Sequence, residues 1–131
     1  MSDHSLKGKS VIIAGGAKNL GGLLATELAK SGVKGIAVHY HSDPTREAAE
    51  NTVAEVKALG ADAFAIQGDL TKVENVVKLF DAAVDAFGGV DIAINTVGLV
   101  LKKPIVDITE EEFDTSFDIN AKSAFFFIQE S

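Results

Sequence analysis

Four short, continuously apolar runs recur roughly every 25 residues along this chain, and each is followed by a stretch with helical periodicity. The runs are Val11-Ile12-Ile13-Ala14, Gly35-Ile36-Ala37-Val38, Ala63-Phe64-Ala65-Ile66 and Val90-Asp91-Ile92-Ala93-Ile94. They do not alternate apolar with polar, so they read as strands buried on both faces. Leu20, Leu23, Leu24 and Leu28 mark a first helix, closed by Ser31-Gly32. Ala49, Val53, Val56 and Leu59 mark a second, entered through Asp43-Pro44-Thr45 and stopped by Gly60. Val73, Val76, Val77, Phe80, Val84 and Phe87 mark a third, with Thr71 as its N-cap and Gly88-Gly89 as its stop. Phe113, Phe117, Ala121, Ala124, Phe125 and Ile128 mark a fourth, opened by a capping box, Thr109 to Glu112. The one long loop covers residues 96–108. Parallel neighbours need a crossover between them, and this alternation supplies a helix at every step. The chain is therefore expected to form an α/β, doubly wound parallel sheet of four βα units, with helices on both faces. No linker or repeat divides it, and residues 1–131 read as one domain.

Charge and composition narrow the partners. The net charge of −7 would repel phosphate, so neither nucleic acid nor an anionic membrane is expected as a partner. The absence of cysteine excludes disulfides, thiolate zinc sites and thiol nucleophiles. The first nine residues are polar and hold no apolar signal core, which leads to the expectation of a cytoplasmic protein. Of the three histidines, His4 is remote, and His39 and His41 lie two apart on an extended segment with no third ligand apparent, so no metal site is expected. Glu110, Glu111 and Glu112 are accounted for by the favourable field at a helix N-terminus.

The first strand runs straight into Ala14-Gly15-Gly16-Ala17-Lys18-Asn19-Leu20-Gly21-Gly22 and then into a helix. Glycine permits a tight turn and lets backbone N–H groups approach a ligand. The helix start adds unpaired donors and partial positive charge, a combination suited to a pyrophosphate. The alternative is an ordinary glycine-rich βα turn. The P-loop does not fit, because Gly16-x4-Gly21 is followed by Gly22-Leu23 rather than Lys-Ser/Thr. Nor does Gly-x-Gly-x-x-Gly, because position 17 is alanine.

The spacing that fits is Gly-x3-Gly-x-Gly, and through it the chain resembles the short-chain dehydrogenase/reductase family. That family's Thr-Gly-x3-Gly-x-Gly lies over Ala14-Gly15-x3-Asn19-Leu20-Gly21, with alanine for threonine and asparagine for the middle glycine. Asparagine is the non-glycine residue most tolerant of left-handed backbone angles, so the turn is expected to survive. Three more matches follow in order: Asp69-Leu70 after the third strand, Asn95-Thr96-Val97-Gly98 after the fourth, and Asn120 ahead of a small and aromatic run in the fourth helix. The resemblance covers essentially the whole chain. It implies a Rossmann-like sheet with strand order 3-2-1-4 and an NAD(P)-dependent oxidoreductase of the carbonyl-reductase type. In it Gly15, Lys18, Asn19, Leu20, Gly21, Asp69, Leu70, Asn95, Thr96 and Gly98 contribute to cofactor binding. Asp69 would meet the adenine, and Asn120 would hold a proton-relay water as the one catalytic residue present. Each residue also has a plainer reading: Asp69 as a strand end or helix cap, Asn95 as a turn residue, Asn120 as a polar group that kinks its helix.

In NAD-preferring relatives an acid ends the second strand. Here Val38-His39-Tyr40-His41-Ser42 holds no carboxylate before Asp43. Lys18, helped by His41, Ser42 or Arg46, could meet a 2′-phosphate, so NADP is expected over NAD; the alternative is that Lys18 and Arg46 are solvated surface charges.

The resemblance also implies a catalytic serine and a Tyr-x3-Lys pair. The only tyrosine, Tyr40, is followed four residues on by Pro44, so that pair is not in this chain. The last residues continue an apolar helical pattern with no stop signal. The expectation is the N-terminal, cofactor-binding half of a reductase of small carbonyl or alcohol substrates, inactive alone, with the fourth strand at an open edge. Such an edge invites association, and a homo-oligomer is expected. A different class remains as the alternative: a non-catalytic nucleotide-binding module for sensing or assembly.

Overall fold

Each apolar run forms a strand in the computed structural model, which describes residues 5–131; His4 lies outside them. The strands are β1 (Ser10–Ala14), β2 (Gly35–Tyr40), β3 (Asp62–Gln67) and β4 (Ile92–Asn95). All pairs are parallel and the order is β3-β2-β1-β4. Val11 is level with Ile36 on one side and Ile92 on the other, which sets the register of the centre. The fourth strand starts later than its apolar run, because Asp91 is used differently: its carboxylate accepts the Ser10 N–H at 2.9 Å and so caps the start of β1.

The helices are α1 (Asn19–Lys30), α2 (Arg46–Ala58), α3 (Val73–Phe87), α4 (Glu110–Phe117) and α5 (Ser123–Glu130). Alternate residues of the central strands feed two separate cores. Val11, Ile13, Ile36 and Val38 pack with Ala25 and Ala29 of α1 and Ala49 and Val56 of α2. Ile12, Ala14 and Ala37 pack with Val76, Leu79, Phe80 and Ala83 of α3 and Phe127 of α5. Both faces of the sheet are thus covered, which is why β1 and β2 are apolar throughout rather than alternating.

Three local expectations are corrected. Leu20 is 61% exposed and Leu23 is also exposed; the buried stripe of α1 is Gly21, Ala25 and Ala29, small residues that bring the helix close to the sheet. Thr71 does not cap α3. Lys72 holds the N-cap position without a side-chain bond, and the Thr71 hydroxyl donates to Asp69 instead. The fourth helix is not continuous: the capping box of Thr109 and Glu112 opens α4, but a π turn over Asp118–Lys122 separates it from α5. The expected apolar stripe faces outward on both sides of that turn. Phe113, Phe117, Phe125 and Ile128 are exposed, while Ser123 and Phe127 are buried.

Candidate functional site: the cleft at the carboxyl end of the sheet

The turn after β1 depends on two glycines. Gly15 has φ +76°, and a β carbon there would lie 2.6 Å from the Thr96 hydroxyl oxygen. Gly21 sits against the chain that precedes its own helix, so a β carbon there would collide with the Gly15 carbonyl oxygen. Between them, Asn19 has φ +55°, the left-handed angle its place in the motif called for. The backbone N–H of Gly16 donates to Ile13 O, and that of Gly22 donates to Lys18 O. Among the described residues, no acceptor meets the N–H groups of Ala17, Lys18, Asn19, Leu20 and Gly21. This row of free donors coincides with the positive end of α1, so its chemistry is that of an anion site.

Three side chains fix the turn from outside. Thr96 donates its hydroxyl to Ala14 O at 2.7 Å, tying the start of the long loop to the end of β1. Thr52 reaches from α2 to Ala17 O, also at 2.7 Å. His39 accepts the Gly15 N–H on Nδ1 at 3.0 Å and, through Nε2, donates to Gly68 O at 2.7 Å. Burial holds the His39 pKa below its ordinary value, against the favourable bond to Gly68, so the ring is neutral near pH 7.

A cleft of about 360 Å³ opens above these contacts, within the range of small-molecule sites. Gly15, Lys18, Asn19, Leu20 and Gly21 form one wall. His41 faces them from the end of β2, Asp69 and Leu70 come from the β3–α3 connection, and Thr96 and Gly98 come from the loop after β4. Asp69 Oδ1 accepts from the Thr71 amide at 3.0 Å and from its hydroxyl at 2.6 Å. Partial burial raises the Asp69 pKa, but the Thr71 bonds, with His41 and Lys72 nearby, outweigh it and hold the carboxyl below its ordinary value. Lys18 makes no ion pair among the described residues.

Two expected site residues stand outside the cleft wall. Asn95 accepts the Val97 N–H at 2.9 Å and shapes the loop from within. Asn120, in the π turn, accepts the Leu99 N–H on Oδ1 and donates from Nδ2 to Leu99 O, both at 2.8 Å. It clamps the loop whose Gly98 and Leu99 line the cleft. Of the helpers expected beside Lys18, only His41 lines the cleft; Arg46 pairs with Asp43 at 3.0 Å on the surface. His39, Tyr40, Thr45 and Thr71 also line it, though none was among the expected site residues. A histidine inside an otherwise apolar strand was the one available signal among them.

A doubly wound parallel sheet carrying a glycine turn with free N–H groups, at the carboxyl ends of its strands, defines a Rossmann-like α/β protein. A family profile described as short chain dehydrogenase matches residues 9–131, and the chain belongs to the short-chain dehydrogenase/reductase family. A putative dehydrogenase from Burkholderia cenocepacia, solved with bound NADP, superposes with a TM-score of 0.96 at 56% identity, covering 98% of this chain and 49% of that one. A short-chain dehydrogenase from Oenococcus oeni gives 0.85 at 48% identity, over 99% and 55% of the two chains. Among curated proteins, versicolorin reductase 1 of Aspergillus parasiticus is 39% identical over 132 residues, 100% of this chain and 49% of its own length. The chain spans about half the length of the curated relatives it matches.

Proposed function

We propose that this chain is the nicotinamide-cofactor-binding part of an oxidoreductase acting on a small carbonyl or alcohol substrate. The observation that carries the reading is the row of free N–H groups over residues 17–21 at the start of α1. These donors suit a pyrophosphate, and the acid of Asp69 with the apolar Leu70 suits an adenine on the opposite wall. A bound nicotinamide supplies or accepts a hydride, the counterpart proton being handled by side chains beside the substrate carbon. The chain's own tasks are to grip the two ends of the dinucleotide, to hold the 96–98 loop where the nicotinamide half would lie, and to place Asn120 behind that loop. The relay role for Asn120 rests on the resemblance, and Asn95 acts through loop shape. With Tyr40 as the sole tyrosine and Pro44 four residues on, residues 1–131 alone should not turn over.

NADP is favoured over NAD. Among the described residues the Lys18 side chain has no ion-pair partner; Lys18 and His41 both line the cleft, and Asp43, the first acid after β2, is held by Arg46. The relative from Burkholderia was solved with NADP, whereas a more distant one, 27% identical, is described as an NADH-dependent reductase. Titration with NADPH and NADH decides the point: NADPH should bind more tightly, and Lys18→Ala should erase most of that preference. Tighter NADH, or an unchanged preference in Lys18→Ala, refutes the assignment. Homo-oligomeric assembly and a cytoplasmic location belong to the same proposal; the exposed aromatic face of α4 and α5 supports the first.

A further inference from the structure

We propose that His39 is a positioning residue for the cofactor: its imidazole sets the glycine turn against the end of the third strand, and the grip on the dinucleotide depends on that bridge. The inference rests on the cofactor reading above and assigns a role that no motif carries. His39 is 3% exposed, in a strand whose neighbours Ile36, Ala37 and Val38 are fully buried. An imidazole in such a place is costly unless both nitrogens are paired. Both are, and both partners are backbone: the Gly15 N–H on Nδ1 and the Gly68 carbonyl through Nε2. Gly15 opens the turn whose carbonyl oxygen packs on Gly21, and Gly68 directly precedes Asp69. One ring therefore spans the two walls proposed to hold pyrophosphate and adenine.

Only the neutral ring with its proton on Nε2 can make both bonds. A proton on Nδ1 would set a donor against the Gly15 N–H and release the turn. The titratable groups acting on the ring are His41, near the end of its own strand, and Asp69, after β3. Lys18 of the turn also lines the cleft, while β1 and the buried face of α3 contribute no titratable group. Burial keeps His39 neutral down to a pH below its ordinary range, which protects the bridge at neutral pH and removes it in acid.

The test is calorimetric titration of the intact protein with NADP+ from pH 5.5 to 8.5, for wild type, His39→Asn, His39→Gln and His39→Leu. Asparagine can place an acceptor near the Nδ1 position and does not titrate; glutamine reaches the Nε2 position and leaves the Gly15 N–H unpaired. At pH 8, His39→Asn should bind within about threefold of wild type, and His39→Gln and His39→Leu at least tenfold more weakly. Wild type should lose affinity in acid, at a pH below the ordinary imidazole range, more steeply than His39→Asn, which has no ring to protonate at this position. Folded His39→Leu or His39→Gln binding like wild type, or His39→Asn with an undiminished acid slope, overturns the proposal. If the variants do not fold, the wild-type affinity must follow the His39 titration seen in its imidazole ¹⁵N shifts, and independence from it overturns the proposal equally. Wild type that binds neither NADP+ nor NAD+ at any pH refutes the cofactor reading itself, an outcome distinct from binding that ignores His39.

Discussion

A β carbon at residue 21 would have to displace the backbone of Gly15, not a flexible side chain, so the turn itself must move. Gly21→Ala should cost about 1–3 kcal/mol of stability and weaken dinucleotide binding at least tenfold, as read from urea melts and titration calorimetry. Retained affinity would mean that the turn tolerates movement. Asn19 shows how much was legible at this scale, since its left-handed backbone follows from the glycine it replaces in the motif. His39 shows what was not. A histidine near the end of the second strand reads as lying near an adenosine pocket or on the surface, and only the spatial meeting of Gly15 and Gly68 gives it a buried bridging role. That burial has a pH consequence. Because its folded pKa lies below the unfolded value, the unfolded chain takes up the proton first, so stability falls as pH drops below about 6.5. Asp69, also lowered in the fold, adds stability that is present above the ordinary carboxylate range and is lost as pH falls through it. Urea midpoints measured from pH 8 down to 5 should decline in wild type and decline less in His39→Asn; parallel curves would contradict the assignment.

Element boundaries were mostly written in local chemistry, and faces were not. The capping box over Thr109 and Glu112 is present as its spacing implies, and Thr109→Ala should lower stability by about 1 kcal/mol in a thermal melt. The helix it opens defeats a periodic reading, because the π turn over Asp118–Lys122 adds a residue that no pattern of apolar positions reveals. The stripe of Phe113, Phe117, Phe125 and Ile128 is outside, and the residue that fastens α5 is Phe127, whose ring centroid lies 5.2 Å from that of Phe80. Phe127→Ala should cost about 3–5 kcal/mol, against little for Phe125→Ala; equal losses would show that the exposed face is packed. In α1 Leu24 and Leu28 pack against the core as expected, and the reading of Leu20 and Leu23 failed for a different reason. Leucines outweigh glycine and alanine in any hydrophobic pattern, yet close approach to the sheet selects the small residues.

For the whole molecule, the sheet was the most legible level: continuous apolar runs separated by helices admit few topologies, and the order 3-2-1-4 is found. The fourth strand is an edge with half-buried Ile92, Ala93 and Ile94, and the aromatic face of α4 and α5 adds exposed apolar area. Residues 1–131 should therefore self-associate in light scattering; a monomer with a sharp cooperative melt would contradict that. The cleft was legible as a set of motifs, Thr96 among them, but the tethers that His39, Thr52 and Thr96 make to the turn were not, because each acts across a long sequence separation. The central claim is that the free N–H groups at the start of α1 bind the dinucleotide pyrophosphate. Backbone amide shifts recorded while NADP+ is titrated in test it most directly. Saturable shifts centred on residues 17–21, lost in Gly21→Ala, are the predicted result; shifts that leave those amides unmoved would contradict the account.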